Sequence, residues 1–186
     1  EPFCDIGYTS AESDWGVEIS YVGGTAGGSF KWLSPIHDIS EIGRLRYPSI
    51  DVDYETTLET VRLAADVFSG LLEVRLRDSW WWSFGFTIDL IKFIGLEQMM
   101  IYMYDNPALV HRLMGFLRDG FMNRLDFLEQ NRLLHLNNDD SYVGSGGIGY
   151  THELSRRCIE DECILTKDMW GFSESQETVR VSPQMF

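Results

Sequence analysis

Apolar residues recur every three or four positions in three stretches of the chain, 53–70, 86–103 and 106–130. This spacing places the apolar side chains on one face of an α-helix. Asp53 is a candidate N-cap for the first helix, and Gly95 interrupts the second, so we expect a break there. The third stretch opens on Asn-Pro, an N-cap followed by a residue suited to the first turn. The pattern therefore predicts a broken middle helix and one long helix after it.

Short apolar runs outside these stretches predict four β-strands, centred near residues 19, 74, 135 and 165. Apolar and polar residues alternate around the first, and the other three are short runs bounded by polar residues. The first 16 residues are polar and turn-like, and a short helix is predicted near 152–157. Strands that alternate with helices are typical of parallel βα units. The pattern therefore indicates an α/β fold.

A glycine-rich segment, 23–29, follows the first predicted strand. Such a segment can cradle a phosphate group where it joins a strand to a helix. The residues that follow are Phe-Lys-Trp-Leu-Ser-Pro, which do not begin a helix, and no Gly-Lys-Ser/Thr is present. We therefore interpret this segment as a mobile or irregular loop.

The 186 residues include 29 acidic and 15 basic side chains, which give a net charge of −14. Nucleic-acid binding depends mostly on Lys and Arg, so the charge disfavours this class of function. The charge also disfavours a polyanionic substrate. Arg75 and Arg77 lie two residues apart on a predicted strand and share one face. We expect them to face solvent or to pair with carboxylates.

Three cysteines, Cys4, Cys158 and Cys163, are sparse and odd in number, and we expect no signal peptide. This usage favours a reducing cytoplasm.

No apolar run reaches about 18 residues without a charge, so we expect no membrane span. None of the four histidines stands two residues before a cysteine, and His152 lies six residues from Cys158. No metal site is therefore assigned.

Three consecutive tryptophans, Trp80, Trp81 and Trp82, follow the predicted strand near residue 74. Large aromatic side chains just past a strand end suit the wall of a small-molecule pocket. They also suit a packed core or an interface, since tryptophan is highly buried on average. The residues alone leave both interpretations open.

The order of motifs along the chain adds a resemblance. The aromatic-rich turn leads to a helix that closes on Gly-Leu-Glu-x-x-Met, and residues 104–114 read Tyr-Asp-Asn-Pro-x-x-Val-His-x-Leu-Met. Residues 164–171 read Ile-Leu-Thr-Lys-Asp-Met-Trp-Gly, and residues 182–186 read Ser-Pro-Gln-Met-Phe. This order, over about residues 45–186, resembles the uroporphyrinogen decarboxylase superfamily, which also holds methyltransferases that serve corrinoid proteins.

The resemblance implies a fold made of parallel βα units, a partial (β/α)8 TIM barrel of the uroporphyrinogen decarboxylase type. A complete barrel needs about 250 residues. We therefore expect residues 1–186 to form a single domain that is a truncated piece of a larger barrel. A complete small α/β domain is the alternative.

The resemblance also directs attention to the residues that follow the strands, where such barrels place their sites. It selects Asp168 as the catalytic residue, because the family has an acidic residue at this strand end. Met169 follows it where the family often has a small polar residue, which departs from the decarboxylase pattern. The segment 137–140 is rich in Asn and Asp, and it fits an ordinary turn as well as a binding site. The residues expected to bind substrate are Trp80, Trp81, Trp82, Asn137, Asn138, Tyr142 and Trp170.

The function implied is a cytoplasmic methyltransferase that acts with a corrinoid (cobalamin) protein on a small methylated substrate. The alternatives are uroporphyrinogen decarboxylase of porphyrin biosynthesis and a non-catalytic ligand-binding barrel domain. The family's zinc motif, His-x-Cys with a distant cysteine, would lie in the later half of a full-length barrel. We also expect a homo-oligomer, because a truncated barrel exposes strand edges and apolar helix faces.

Overall fold

The computed structural model describes residues 2–24, 27–80, 85–144, 147–154, 163–171, 178 and 181–182. The strands are β1 Phe3–Ile6, β2 Ser10–Glu12, β3 Ser20–Gly23, β4 Phe30–Leu33, β5 Ile50–Val52, β6 Glu73–Leu76, β7 Ser141–Gly144 and β8 Gly147–Gly149. The α-helices are α1 Tyr54–Val67, α2 Thr87–Ile94, α3 Leu96–Asp105 and α4 Pro107–Gln130. Short 3-10 helices cover Ile39–Arg44 and Thr166–Asp168.

The chain divides into two compact units. The first unit holds residues 1–12, 49–84 and 124–172, and the second holds 13–48, 85–123 and 173–186. Helix α4 passes from the second unit to the first between Asn123 and Arg124.

The first unit is built on a parallel pair of strands. β1 pairs with β6 in a register that runs from Phe3 opposite Glu73 to Ile6 opposite Leu76. β2 pairs with β5, and β7 with β8, both antiparallel. Helix α1 packs on β6 and starts at Asp53, whose carboxylate accepts the amide of Thr56 at 2.9 Å. This bond satisfies a free N–H of the first helical turn. Among the described residues of this unit, Trp80, Leu128, Leu133 and Leu134 form a buried apolar cluster.

The second unit has a larger apolar core. α2, α3 and the first part of α4 supply most of it, and the β3–β4 hairpin is the sheet of this unit. Gly95 separates α2 from α3 with φ of +78°, a backbone conformation that residues with a Cβ rarely adopt. The fully buried members of this core include Ile36, Phe93, Ile94, Met99, Leu113 and Leu117.

The helices predicted from periodicity are confirmed. α1 falls within 53–70, α2 and α3 cover the predicted 86–103 with the break at Gly95 and extend it to Asp105, and α4 runs from Pro107 to Gln130. Asn106 accepts the amide of Leu109 at 3.3 Å, as an N-cap does. The short helix predicted near 152–157 falls largely outside the described residues, and residues 151–154 are not helical.

The strand predictions are confirmed near residue 74 and, displaced by about two residues, near residue 19. The run near residue 19 becomes β3, which turns back into β4 as an antiparallel hairpin because the Gly24 amide bonds to the carbonyl of Ser29 at 2.9 Å. β1 and β2 were missed in the polar first 16 residues, since runs of three and four residues show no clear period.

The strands predicted near residues 135 and 165 are wrong. Near residue 135 the backbone bonds to side chains instead of a neighbouring strand: the Leu133 carbonyl accepts Trp80 Nε1 at 3.0 Å, and the Leu136 carbonyl accepts the guanidinium of Arg77. Near residue 165 the amide of Thr166 donates to a carboxylate oxygen of Glu129 at 2.7 Å. Backbone groups committed in this way are not free for a sheet ladder.

The expected parallel pairing of the last three strands is therefore wrong as well. Among the described residues β1 and β6 are the parallel pair, and every strand belongs to a two-stranded sheet. The α/β class is confirmed, but these paired strands close no barrel in the described part of the chain. No helix formed by described residues combines the length and apolar character that crossing a membrane requires.

Candidate functional site

A cavity of about 310 Å³ lies in the first unit, beside β1 and just beyond the end of β6. Side chains from β1, from residues 77–80 and from the segment 135–143 line it. Its size is at the lower end of small-molecule sites, so it suits a small ligand.

One wall of the cavity is aromatic. Trp80 is 8% exposed and stacks on Tyr8, with ring centroids 5.5 Å apart. Its Nε1 is bound to the Leu133 carbonyl, so the indole is held in one orientation. Tyr142 of β7 lines the cavity too and is about half exposed. The Phe3 ring also lines the cavity. The guanidinium carbon of Arg75 lies 3.5 Å from the centre of this ring and packs against its face.

His135 lines the cavity, and one of its ring nitrogens is buried away from solvent without a partner in the described part of the chain. Its Nδ1 is buried and has no hydrogen-bond partner among the described residues. Burial lowers the pKa of His135, and the positive charge of Arg77 lowers it further, so the imidazole is neutral at pH 7. A buried polar atom without a partner costs about 1–3 kcal/mol, and such atoms mark functional sites when they persist. A neutral imidazole can donate one hydrogen bond and accept another.

Two arginines near the cavity are held in ion pairs. Arg75 binds the carboxylate of Asp5 through two bonds of 2.7 and 3.0 Å. Arg77, whose side chain is 13% exposed, binds both oxygens of Asp139 at 2.5 and 2.9 Å and the hydroxyl of Ser141 at 2.7 Å. These bonds lower the pKa of Asp139 to about 2. The expectation that Arg75 and Arg77 pair with carboxylates is confirmed.

Two carboxylates of the lining are not neutralised in this way. The carboxylate of Asp78 accepts a hydrogen bond from the backbone amide of Tyr8 at 3.0 Å. The backbone of Asp140 has a φ of +66°. In the described part of the chain neither takes part in an ion pair. The cavity therefore carries an excess of negative charge.

Three of the predicted binding residues, Trp80, Asn137 and Tyr142, meet in this cavity. The amide of Asn137 is occupied by the backbone of Trp170: Asn137 Nδ2 donates to the Trp170 carbonyl at 2.7 Å, and the Trp170 amide donates to Asn137 Oδ1 at 2.8 Å. Asn137 thus ties the segment at Trp170 to the cavity wall through one N–H and one lone pair of its amide.

Other predicted residues lie elsewhere. Asn138 contacts Nδ1 of His152 at 2.7 Å, and Trp170 donates from Nε1 to the Thr151 carbonyl at 3.2 Å. The carboxylate of Asp168 accepts the amide of Leu165 at 3.1 Å and caps a short turn. None of these three side chains lines the cavity, so the geometry gives Asp168 a local structural role. Trp81 and Trp82 lie outside the described residues.

Sequence reasoning missed His135 and Asp5 as cavity residues. His135 stood inside a run interpreted as a strand, and Asp5 stood in a segment interpreted as turns. A lone histidine between leucines gives no periodic signal that separates a cavity residue from a core residue. The described residues contain no group of three or more His, Cys, Asp or Glu side chains arranged to hold a metal ion.

Comparison of the chain with protein-family models, with curated proteins and with solved structures gives no match.

Proposed function

We propose that the cavity beyond β6 binds a small organic molecule and that the protein is an enzyme of the uroporphyrinogen decarboxylase type that transfers a methyl group. The observation that carries this proposal is the convergence of Trp80, His135 and Asp78 on one cavity. An aromatic wall supplies binding energy, and a few polar groups at fixed positions supply orientation.

The charges of the lining favour methyl transfer over decarboxylation. Uroporphyrinogen carries many carboxylates, and a site for it needs free cations. Arg75 and Arg77 both bind carboxylates, while Asp78 and Asp140 form no ion pair among the described residues. A small neutral or cationic methyl donor suits this lining better. The corrinoid protein as partner, the homo-oligomer and the larger (β/α)8 barrel rest on the sequence resemblance and stay predictions.

His135 has the chemistry that the departing group needs. When a methyl group leaves nitrogen, oxygen or sulfur, that atom gains a free lone pair. A hydrogen-bond donor beside it stabilises the pair, and a neutral imidazole has one N–H for this purpose. Asp78 supplies an acceptor on the same cavity wall.

The test is a binding panel followed by a transfer assay. Trimethylamine, methanol, dimethyl sulfide and anisole are titrated by calorimetry, with uroporphyrin as the polycarboxylate comparison. Transfer from any ligand that binds is followed by methylcobalamin formation from reduced cobalamin. We expect at least one methylated compound to bind more tightly than uroporphyrin.

The matched variants are His135→Ala and His111→Ala, since His111 is an exposed histidine on α4 and lies outside the cavity. We expect His135→Ala to weaken binding about 10-fold, the value of a hydrogen bond of roughly 1.4 kcal/mol, and His111→Ala to leave it unchanged. Thermal unfolding of both variants controls for loss of the fold. The proposal fails if none of the methylated compounds binds, and tighter binding of uroporphyrin would favour the decarboxylase.

A further inference from the structure

We propose that the ligand of this cavity is a small organic cation that carries an alkylammonium group, with Asp78 and Asp140 as its counter-charges. This inference rests on the proposed function, since it names the class of molecule that the same cavity takes. It is carried by the charges and the aromatic groups of the lining.

The charged groups of the lining divide into paired and unpaired ones. Asp5 is neutralised by Arg75 at 2.7 Å, and Arg77 by Asp139 at 2.5 Å. Asp78 and Asp140 remain, and among the described side chains no basic group forms an ion pair with either. A ligand with one positive charge would reduce the net negative charge of this lining.

The histidine of the lining, His135, adds no positive charge to the cavity. His135 is neutral at pH 7 because burial and the nearby charge of Arg77 lower its pKa. The unpaired charge of the lining is therefore that of the two carboxylates, of which Asp140 is exposed to solvent.

The aromatic groups distinguish an organic cation from a metal ion. Trp80 and Tyr142 line the cavity, and alkylammonium groups bind to aromatic faces because their charge is spread over weakly hydrated methyl groups. Calcium takes six to eight oxygen ligands, and magnesium about six in strict geometry. In the described residues no three acidic or histidine side chains group to provide them.

The backbone at Asp140 allows a conservative test. Its φ of +66° lies in the left-handed region, which asparagine adopts more readily than most residues. Asp140→Asn therefore removes the charge and keeps both the shape and the backbone conformation. Asp66→Asn is the matched control, because Asp66 is exposed on α1 and lies outside the cavity.

The experiment uses choline and its neutral isostere, the alcohol in which a tert-butyl group replaces the trimethylammonium group. Both are titrated calorimetrically into the wild type, Asp140→Asn and Asp66→Asn. We expect choline to bind the wild type about 10-fold more tightly than the isostere, as cation–π contact and two carboxylates favour the charge. Asp140→Asn should weaken choline binding about 3- to 10-fold and leave isostere binding unchanged. Asp66→Asn should change neither.

The outcomes separate this inference from the proposed function. Equal binding of choline and its isostere, or an Asp140→Asn variant that binds choline as the wild type does, overturns the organic cation. The cavity then still binds small molecules, and the proposed function stands. Binding of anisole or dimethyl sulfide without binding of choline has the same meaning. If no compound of either set binds, the proposed function fails together with the inference.

Discussion

Arg77 shows how much one side chain contributes to the arrangement of the first unit. It follows β6 and bonds to Leu136, Asp139 and Ser141, which lie 59 to 64 residues further along the chain. Because its side chain is 13% exposed, breaking these bonds leaves a largely buried positive charge without a partner. The segment that brings His135 and Asp140 to the cavity is thus held by this residue.

The ion pair of Arg77 and Asp139 predicts a pH dependence of stability. Asp139 has its ordinary pKa of 3.8 in the unfolded chain and about 2 in the fold. The contribution of Asp139 to the free energy of unfolding is therefore complete well above pH 3.8 and is lost as the pH falls through about 2. Since the Asp139 side chain is 40% exposed, solvent screening limits this contribution to about 1 kcal/mol.

Urea denaturation of the wild type and of Asp139→Asn between about pH 7 and pH 2 measures this effect. We expect the variant to be about 1 kcal/mol less stable at neutral pH, with the difference shrinking towards zero in acid. Asp66→Asn, an exposed aspartate on α1, controls for the change in net charge. A difference in the free energy of unfolding between wild type and Asp139→Asn that does not change with pH across this range would contradict the ion pair.

At the scale of the element, helix α4 contains two glycines in different surroundings. A Cβ added at Gly120 would lie 2.5 Å from Cζ3 of Trp15 and 3.1 Å from Cδ1 of Tyr47. A Cβ added at Gly115 would meet nothing within 4 Å. Helix propensity favours alanine by about 1 kcal/mol at both positions, so the two sites differ in packing alone.

We expect Gly115→Ala and Gly120→Ala to change the free energy of unfolding in opposite directions. Gly115→Ala should raise the free energy of unfolding by about 0.5–1 kcal/mol. Gly120→Ala should lower it by about 1–2 kcal/mol, since the clash with the Trp15 ring exceeds the gain in propensity. Chemical denaturation followed by circular dichroism measures both variants. Equal stabilisation by the two substitutions would show that Trp15 does not pack against this helix.

At the scale of the whole molecule, the described residues of the two units form apolar clusters of different size. The second unit buries Phe93, Met99, Leu113 and Leu117 in one cluster, with further side chains packed around it. The core of the first unit is a smaller cluster centred on Trp80. Buried apolar area is the main favourable term in folding, so local stability should follow this difference.

Amide hydrogen exchange read by mass spectrometry tests this difference in stability. We expect the amides of α2 and of residues 109–117 to exchange at least about 10-fold more slowly than those of β1 and β6, a gap of roughly 1.4 kcal/mol in opening free energy. The exposed helix α1 serves as an internal comparison. Protection of β1 and β6 equal to that of α2 would mean that their parallel pairing is more stable than the core size indicates.

Local sequence signals identified the helices and part of the site. Periodicity, the Asn-Pro start of α4 and the break at Gly95 need only neighbouring residues, so the helices follow from the sequence. Trp80, Asn137 and Tyr142 were selected because aromatic and amide side chains follow apolar runs, and all three line the cavity. The strands were harder to predict, because runs of three or four residues show no period and pairing depends on distant partners.

The sequence by itself thus determined the helices, the acidic character and the general region of the candidate site. Tertiary structure alone decided which polar groups have partners. Arg77 takes the carbonyl of Leu136, so the segment near residue 135 forms no strand, and His135 is left with a buried nitrogen that no described group satisfies. Asn137 bonds to the backbone of Trp170, whereas Asp78 and Asp140 form no ion pair among the described residues. These outcomes depend on contacts between residues tens of positions apart, which the order of residues along the chain does not display.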